Sequence, residues 1–367
     1  MEVCCIIGPT KSGTTLLSSL LDSHPEVTIF PLEVKFFTHW LEQLRNKNPT
    51  YHDLNEFFLV KSKLKFLDIS TRALVDIMNS GRVDFQGFDF ERFRSSMLDR
   101  EESNVELGLD SLFKTYLQDI HAALSTQLGQ IREPTILVSK EGNHGLPHIE
   151  AIKSLFTSCR FIVVVRDPRD IYASLKAIAE KKRAGVSSPT FKAHITPVRY
   201  VFENAGKNVL AYTNLFEELN DAHKYHFVRY EDLVTNVYTE MERIASFLGI
   251  TVDDSLCSPT TFGNPWGGNA SSMDNLLEVS PLRKNKWGTE LTLEETKILD
   301  FFFWNYLGYA EYKRPVVRPA RTTIAKEIIT HNSNSWRVNW LDAVKPMWRC
   351  GKNVFLMARA LVQCIRG

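Results

Sequence analysis

The chain has 367 residues, 44% of them hydrophobic and 24% charged, and its 44 basic and 43 acidic side chains leave a net charge of +1. These averages belong to a folded globular protein with one large core and exclude a disordered chain, a collagen-like repeat and a disulfide-stapled miniprotein. No apolar run approaches the roughly 20 residues of a membrane span, and the opening Met1-Glu2 leads into no basic and apolar leader, so a cytoplasmic protein with no nucleic-acid partner is expected.

Val3 to Ile7 is an apolar, uncharged run closed by Gly8-Pro9, the pattern of a buried strand and a loop. Leu16, Leu17, Leu20 and Leu21 then recur at helical spacing and stop before His24-Pro25. Further strands are expected at Val27 to Phe30, at Thr135 to Val138 ending before Lys140, at Arg160 to Val165, and at His226 to Arg229. Arg169 to Glu180 reads as the crossover helix after the fourth strand. Phe202, Ala205, Val209, Tyr212, Phe216 and Leu219 mark a long amphipathic helix, and another helix ends near Leu248-Gly249. Strands alternating with helices predict an α/β fold, a mostly parallel central sheet with helices on both faces. The six cysteines have no metal-ligand spacing, and Cys4, Cys5 and Cys159 fall in or beside apolar strands, which predicts buried reduced thiols and no metal.

Three stretches depart from this rhythm. About 38–132 is irregular and rich in Phe, Leu and charge, which reads as a helical insertion over the carboxyl edge of the sheet, where open α/β sheets bind ligands. Cys257 to Lys284 reads as a long loop. From Lys313 onward there are 11 basic and 2 acidic residues, a net of +9, so a domain over 1–312 is followed by a basic extension over 313–367.

The loop GPTKSGTT, Gly8 to Thr15, sits between a buried strand and a helix. Small residues there let backbone N–H groups converge on an anion, and the helix points its positive dipole end at the same place. Gly8 and Gly13 have the spacing of an NTPase phosphate loop, but Thr14 stands where that pattern has its lysine, and the lysine lies within the loop at Lys11. The fourth strand ends in Arg166 before Asp167, so the acidic residue that would hold magnesium is missing from its usual place, which points to a nucleotide ligand without NTP hydrolysis. In RDPRDIYAS, Arg166 at the strand end and Ser174 on the next helix make a receptor for a second phosphate. Taken alone, R-D-P-R-D also reads as a capped helix start with surface ion pairs.

With both motifs in this order, the chain resembles the sulfotransferases that use 3′-phosphoadenosine 5′-phosphosulfate (PAPS). Lys11-Ser12-Gly13-Thr14-Thr15 resembles the family's 5′-phosphosulfate loop, and Arg166 through Ser174 its 3′-phosphate motif. Arg229-Tyr230-Glu231-Asp232-Leu233, Phe247-Leu248-Gly249 and Arg283-Lys284-Asn285-Lys286-Trp287 continue the likeness over roughly 3–312. The resemblance implies a P-loop-like sulfotransferase fold and transfer of a sulfuryl group from PAPS to an acceptor hydroxyl or amine. The acceptor would be a small molecule, a carbohydrate, a lipid-like alcohol or a protein tyrosine, with its pocket in the irregular region. Lys11 and the loop N–H groups would steady the leaving phosphate without a metal. Arg166 and Ser174 would hold the 3′-phosphate with Arg283 and Lys284, and Tyr230 or Trp287 would contact the adenine.

The base has two candidates. The segment Phe30 to Phe37 resembles the one that carries the catalytic glutamate in glycosaminoglycan-type and tyrosylprotein sulfotransferases, which implies Glu33. Members acting on phenols and steroids use a histidine in a K-T-H segment. Here that stretch is Lys140-Glu141-Gly142-Asn143-His144, with the histidine two positions late, so His144 is the alternative and Lys140 would approach the sulfuryl group in either case. A kinase on a related phosphate-loop fold and a non-catalytic nucleotide-binding scaffold are the competing functions. In the basic extension, Val354, Met357, Ala358, Leu361 and Ile365 share one helical face and Lys352, Arg359 and Arg366 form a stripe, which fits packing on the domain, a second subunit or an anionic membrane surface.

If Glu33 is the base, Glu33→Gln lowers turnover by about two orders of magnitude while nucleotide affinity is kept. Steady-state kinetics read alongside calorimetry check this, and near-normal turnover in the variant transfers the role to His144.

Overall fold

The computed structural model describes residues 2–29, 50–55, 89–102, 108–124, 135–143, 145–156, 158–184, 195–202, 209–210, 212–213, 216, 221–261, 263–266, 278–320 and 322–324. Glu33, His144 and the amphipathic face beyond Lys352 lie outside them. The chain divides into two compact units, the first formed by Met1–Gly8, Gly13–Val165 and Asp221–Pro281, the second by Pro9–Ser12, Arg166–Asn220 and Leu282–Gly367.

The first unit is built on a five-stranded sheet: β1 (Glu2–Ile7), β2 (Val27–Ile29), β3 (Ile136–Gly142), β4 (Cys159–Val165) and β5 (Tyr225–Arg229). The order is β2-β3-β1-β4-β5 and every pairing is parallel. All five expected strands are present. Cys4, Ile6, Ile136, Val138, Ile162, Val164 and Val228 point to one face, where they form a continuous core with Leu17, Leu20 and Leu21 of the helix Thr14–Leu21 and with Met241, Ile244, Ala245 and Leu248 of the helix Val237–Leu248. The alternate residues Cys5, Ile7, Leu137, Phe161 and Val163 are equally buried, so both faces are covered, which is why these strands read as unbroken apolar runs. The thiols of Cys4, Cys5 and Cys159 are free and buried.

Strand β3 runs farther than expected. It continues through Ser139-Lys140-Glu141-Gly142, and all of these are buried despite their polarity. The residues carry their own partners: Ser139 Oγ donates to Glu141 Oε1 at 2.7 Å, and Lys140 Nζ reaches Thr15 Oγ1 at 3.3 Å. The Gly8 N–H donates to the Gly142 carbonyl at 3.1 Å and ties the carboxyl ends of β1 and β3 together. The helix Val237–Leu248 ends where expected, on Gly249 in the left-handed conformation (φ 71°). Of the irregular region, the described parts include the helices Tyr51–Asn55, Phe90–Glu102 and Leu109–Leu124. Among the described residues no helix is long and apolar enough to cross a membrane.

The second unit is organised by the helix Pro168–Arg183, with Leu293–Phe302 and Trp304–Tyr309 also in this unit. Thr292 and Glu295 form a reciprocal capping box at the start of Leu293–Phe302. Arg169 is 2% exposed and makes a buried network: Nη2 donates to Asp167 Oδ2 at 2.6 Å and to the Lys313 carbonyl at 2.9 Å, and Nη1 donates to Asp300 Oδ1 at 3.0 Å. The chain past Tyr312 keeps contact with this unit, since Arg314 lies over the Trp304 ring and Arg318 over Phe301.

Burial pushes the Asp300 carboxyl up to about 6. The folded state therefore holds this proton more tightly than an unfolded chain with the usual value of ~3.9. Its contribution is fully present below pH ~4 and is lost as pH rises through ~6, a difference of ~3 kcal/mol at most. Urea midpoints measured from pH 4 to 7 are expected to show Asp300→Asn gaining on wild type across that window. Parallel profiles would sink this.

Candidate functional site

Four of the recognisable stretches lie at or just past the carboxyl end of a parallel strand. Gly8 to Thr15 follows β1, Lys140 stands near the end of β3, Arg166 follows β4 and Tyr230 follows β5. Parallel strands present all their carboxyl ends at one edge of the sheet, the edge at which open α/β folds bind ligands.

The loop after β1 is bent by two residues in the left-handed region, Lys11 (φ 68°) and Gly13 (φ 109°). This conformation costs an L-residue about 1 kcal/mol or more, and it is the one that turns successive N–H groups toward an anion. The Ser12 N–H donates to the Pro9 carbonyl at 3.0 Å, closing the turn. Ser12 is fully buried, and its Oγ makes no hydrogen bond within the protein. Gly13 also starts the helix Thr14–Leu21 without a side-chain cap, so the N–H groups of the first turn are left directed at the loop. Glycine is required at 13 on a second count: a Cβ there would stand 2.5 Å from Cδ2 of Tyr230. The tyrosine ring thus packs flush against the loop backbone.

In the second unit the R-D-P-R-D motif is a capped helix start, with Asp167 Oδ1 accepting from the Arg169 N–H at 2.9 Å and Pro168 opening the helix. Its charges are buried, however, so the surface ion pairs that the motif suggests on its own are not what forms. Arg166 Nη1 donates to the Lys11 carbonyl at 2.9 Å and Nη2 donates to the Arg283 carbonyl at 2.8 Å. One guanidinium fork therefore brings Lys11, Arg166 and Arg283 together, three residues drawn from three separate motifs. Its own carbonyl accepts from the Tyr306 hydroxyl at 3.2 Å. Ser174 is half-buried one turn beyond Asp170 on the same helix. Trp287 carries the Arg169 guanidinium over its ring at 4.0 Å, so one face of the indole is occupied by a cation.

Sequence reasoning missed Asp170. Its Oδ2 accepts from the Asn285 N–H at 2.7 Å and its Oδ1 from the Trp287 N–H at 2.9 Å, and burial raises its carboxyl above the ordinary range. The only sequence signal was an acidic residue in a helical first turn, which any ordinary cap would give. Among the described residues no group of three His, Cys, Asp or Glu side chains could hold a metal ion.

A model of the sulfotransferase family matches residues 4–254, well over half of the chain. Among solved structures, the sulfotransferase domain from the curacin biosynthetic pathway is similar at 18% identity and a TM-score of 0.53, covering 86% of this chain and 99% of that one. The sulfotransferase domain of the Synechococcus PCC 7002 olefin synthase gives 21% and 0.45 over 86% and 96%. Retinol dehydratase, solved with androsterone and the inactive cofactor PAP, gives 13% and 0.35 over 86% and 83%. The first of these likenesses shows the fold: the strand-loop-helix architecture is that of a sulfotransferase domain.

The contact between Gly13 and Tyr230 makes a prediction about stability. Gly13→Ala is expected to lower the unfolding free energy by about 2 kcal/mol or more through positive φ and the ring clash together. Combining it with Tyr230→Ala relieves the clash and leaves the φ cost, so the two changes are non-additive in a double-mutant cycle. Strict additivity in denaturant titrations would contradict the contact.

Proposed function

Because the chain belongs to the sulfotransferase family, we propose that its sulfuryl donor is PAPS and that the loop after β1 together with Arg166, Ser174, Arg283 and Lys284 holds that nucleotide. The observation that carries the reading is the Arg166 fork, whose bonds to the carbonyls of Lys11 and Arg283 draw the residues for the two phosphate ends into one cluster. A second support is the fit of the loop to an anion. Ser12 offers a buried hydroxyl with no partner in the protein, and it lies between the left-handed residues Lys11 and Gly13 that bend the loop. PAPS supplies a sulfuryl group on a phosphate that departs as 3′,5′-diphosphoadenosine.

The roles of the chain's own residues follow from the charge changes of in-line transfer. The bond from sulfur to the 5′-phosphate oxygen breaks as one to the acceptor oxygen or nitrogen forms, so negative charge grows on the departing phosphate. Lys11 and the loop N–H groups stabilise that charge, with Thr14 and Thr15 adding donors at the helix start. Lys140 is buried and already directed at the Thr15 hydroxyl, which suits a cation that steadies the moving group. Glu33, or His144 in its place, takes the proton from the acceptor. Arg166 and Ser174 serve the 3′-phosphate. Tyr230 or Trp287 contacts the adenine. The acceptor is a small molecule, carbohydrate, lipid-like alcohol or protein tyrosine bearing a hydroxyl or amine.

Calorimetry tests the donor directly: 3′,5′-diphosphoadenosine is expected to bind at least about tenfold more tightly than ADP, which lacks the 3′-phosphate. Lys11→Ala is expected to reduce turnover with labelled PAPS by about a hundredfold or more. Equal affinities for the two nucleotides would end the PAPS reading, and a fully active Lys11→Ala would remove the lysine from the chemistry.

A further inference from the structure

The segment that carries Arg283 and Lys284 has little to hold it in place by packing. It consists of a single 3-10 turn, Pro281–Arg283, a bend and the four-residue helix Trp287–Glu290, and none of residues 281–290 is buried. Leu282, beside Arg283, is 72% exposed. A stretch with so few apolar contacts opens readily on its own. Within it Asn285 is left-handed (φ 58°), a conformation that costs a non-glycine residue free energy unless a local bond supports it.

Three side chains of the R-D-P-R-D motif supply what packing does not. Arg166 Nη2 holds the Arg283 carbonyl at 2.8 Å, and Asp170 accepts from the N–H groups of Asn285 at 2.7 Å and Trp287 at 2.9 Å. The Arg169 guanidinium lies against the Trp287 ring. The Asp170 and Arg166 ties are made to backbone groups on either side of Lys284, so they fix the course of the chain there. Asp170 is 1% exposed. Burying a carboxylate costs several kcal/mol, and an apolar residue of similar volume would often be at least as stable, so stability alone does not account for an acid here.

We propose that Asp170 is a positioning residue: by gripping the backbone at Asn285 and Trp287 it presents Arg283 and Lys284 to the 3′-phosphate end of the donor nucleotide. This rests on the donor reading given above. The motif then acts twice, through Arg166 and Ser174 on the ligand and through Asp170 on the segment that completes the phosphate cradle.

The test uses the full chain and four proteins: wild type, Asp170→Asn, Asp170→Ala and Thr292→Ala. The last removes a helix cap elsewhere in the same unit and serves as a stability control. Hydrogen exchange follows the amides of Asn285 and Trp287, and calorimetry gives the dissociation constant of 3′,5′-diphosphoadenosine. Asp170→Ala is expected to lose protection at those amides and to bind the nucleotide about tenfold more weakly or worse. Asp170→Asn keeps one carbonyl acceptor and falls between it and wild type, while Thr292→Ala lowers the melting temperature and keeps its affinity. Turnover at saturating PAPS falls far less than affinity in Asp170→Asn. Wild-type affinity in Asp170→Ala, or an equal loss of affinity in Thr292→Ala, overturns the proposal. A wild-type protein that does not bind 3′,5′-diphosphoadenosine overturns the donor reading itself, an outcome distinct from a defect confined to the variants.

Discussion

The guanidinium of Arg166 donates one N–H to the carbonyl of Lys11 and another to that of Arg283, and these two bonds fix how three stretches of the second unit, far apart in sequence, are brought together. Arginine suits the task because its fork is planar and always charged, and its donors are rigidly spaced. Lysine would offer the same charge with none of the directional constraint. The loop that bears Lys11 is anchored by this fork through its main chain.

Around that fork the protein keeps an unusual amount of charge out of water. Asp167, Arg169, Asp170 and Asp300 are all buried, and each is satisfied by charged partners or by backbone N–H groups. Such networks contribute little net stability, because desolvation cancels much of the attraction between charges. What they do supply is direction. Arg169 alone meets Asp167, Asp300, the carbonyl of Lys313 and the ring of Trp287, so four segments must take up mutually consistent positions for the network to close. Specificity of arrangement is a sensible use of buried charge beside the proposed nucleotide site.

Much of this was legible in the amino-acid order, and the reasons are physical. Parallel strands buried on both faces have to be apolar along their length and have to stop abruptly, so Val3 to Ile7 and Arg160 to Val165 announce themselves. The glycine and lysine of the loop after β1 point to an anion because backbone N–H groups and a helix dipole need small residues nearby. The extension of β3 through Ser139, Lys140 and Glu141 was hidden, since polar residues end a strand unless tertiary partners accept them, and Thr15 lies 125 positions from Lys140. Asp170 was hidden for the same cause: its partners are 115 and 117 residues away. Local patterns reveal which residues are apolar or able to bind phosphate, but not which charges folding will bury. Glu33 and His144, the two candidates for the base, were inferred from family likeness alone and lie outside the described residues.

The central place of β1 in the sheet has a consequence for how the molecule comes into being. Its neighbours on the two sides are β3 and β4, so Cys4 waits for Val138 on one flank and Arg160 on the other. At translation rates of about 5–20 residues per second, some 10–30 s separate the emergence of the first strand from the ribosome and that of the second of these neighbours. Throughout that interval a greasy ribbon, charged only at Glu2, has both of its hydrogen-bonding edges open, the condition under which nascent chains associate wrongly or engage chaperones. The same arrangement that sets β1 at the centre of the sheet thus makes the newborn polypeptide depend on protection until β4 has been made.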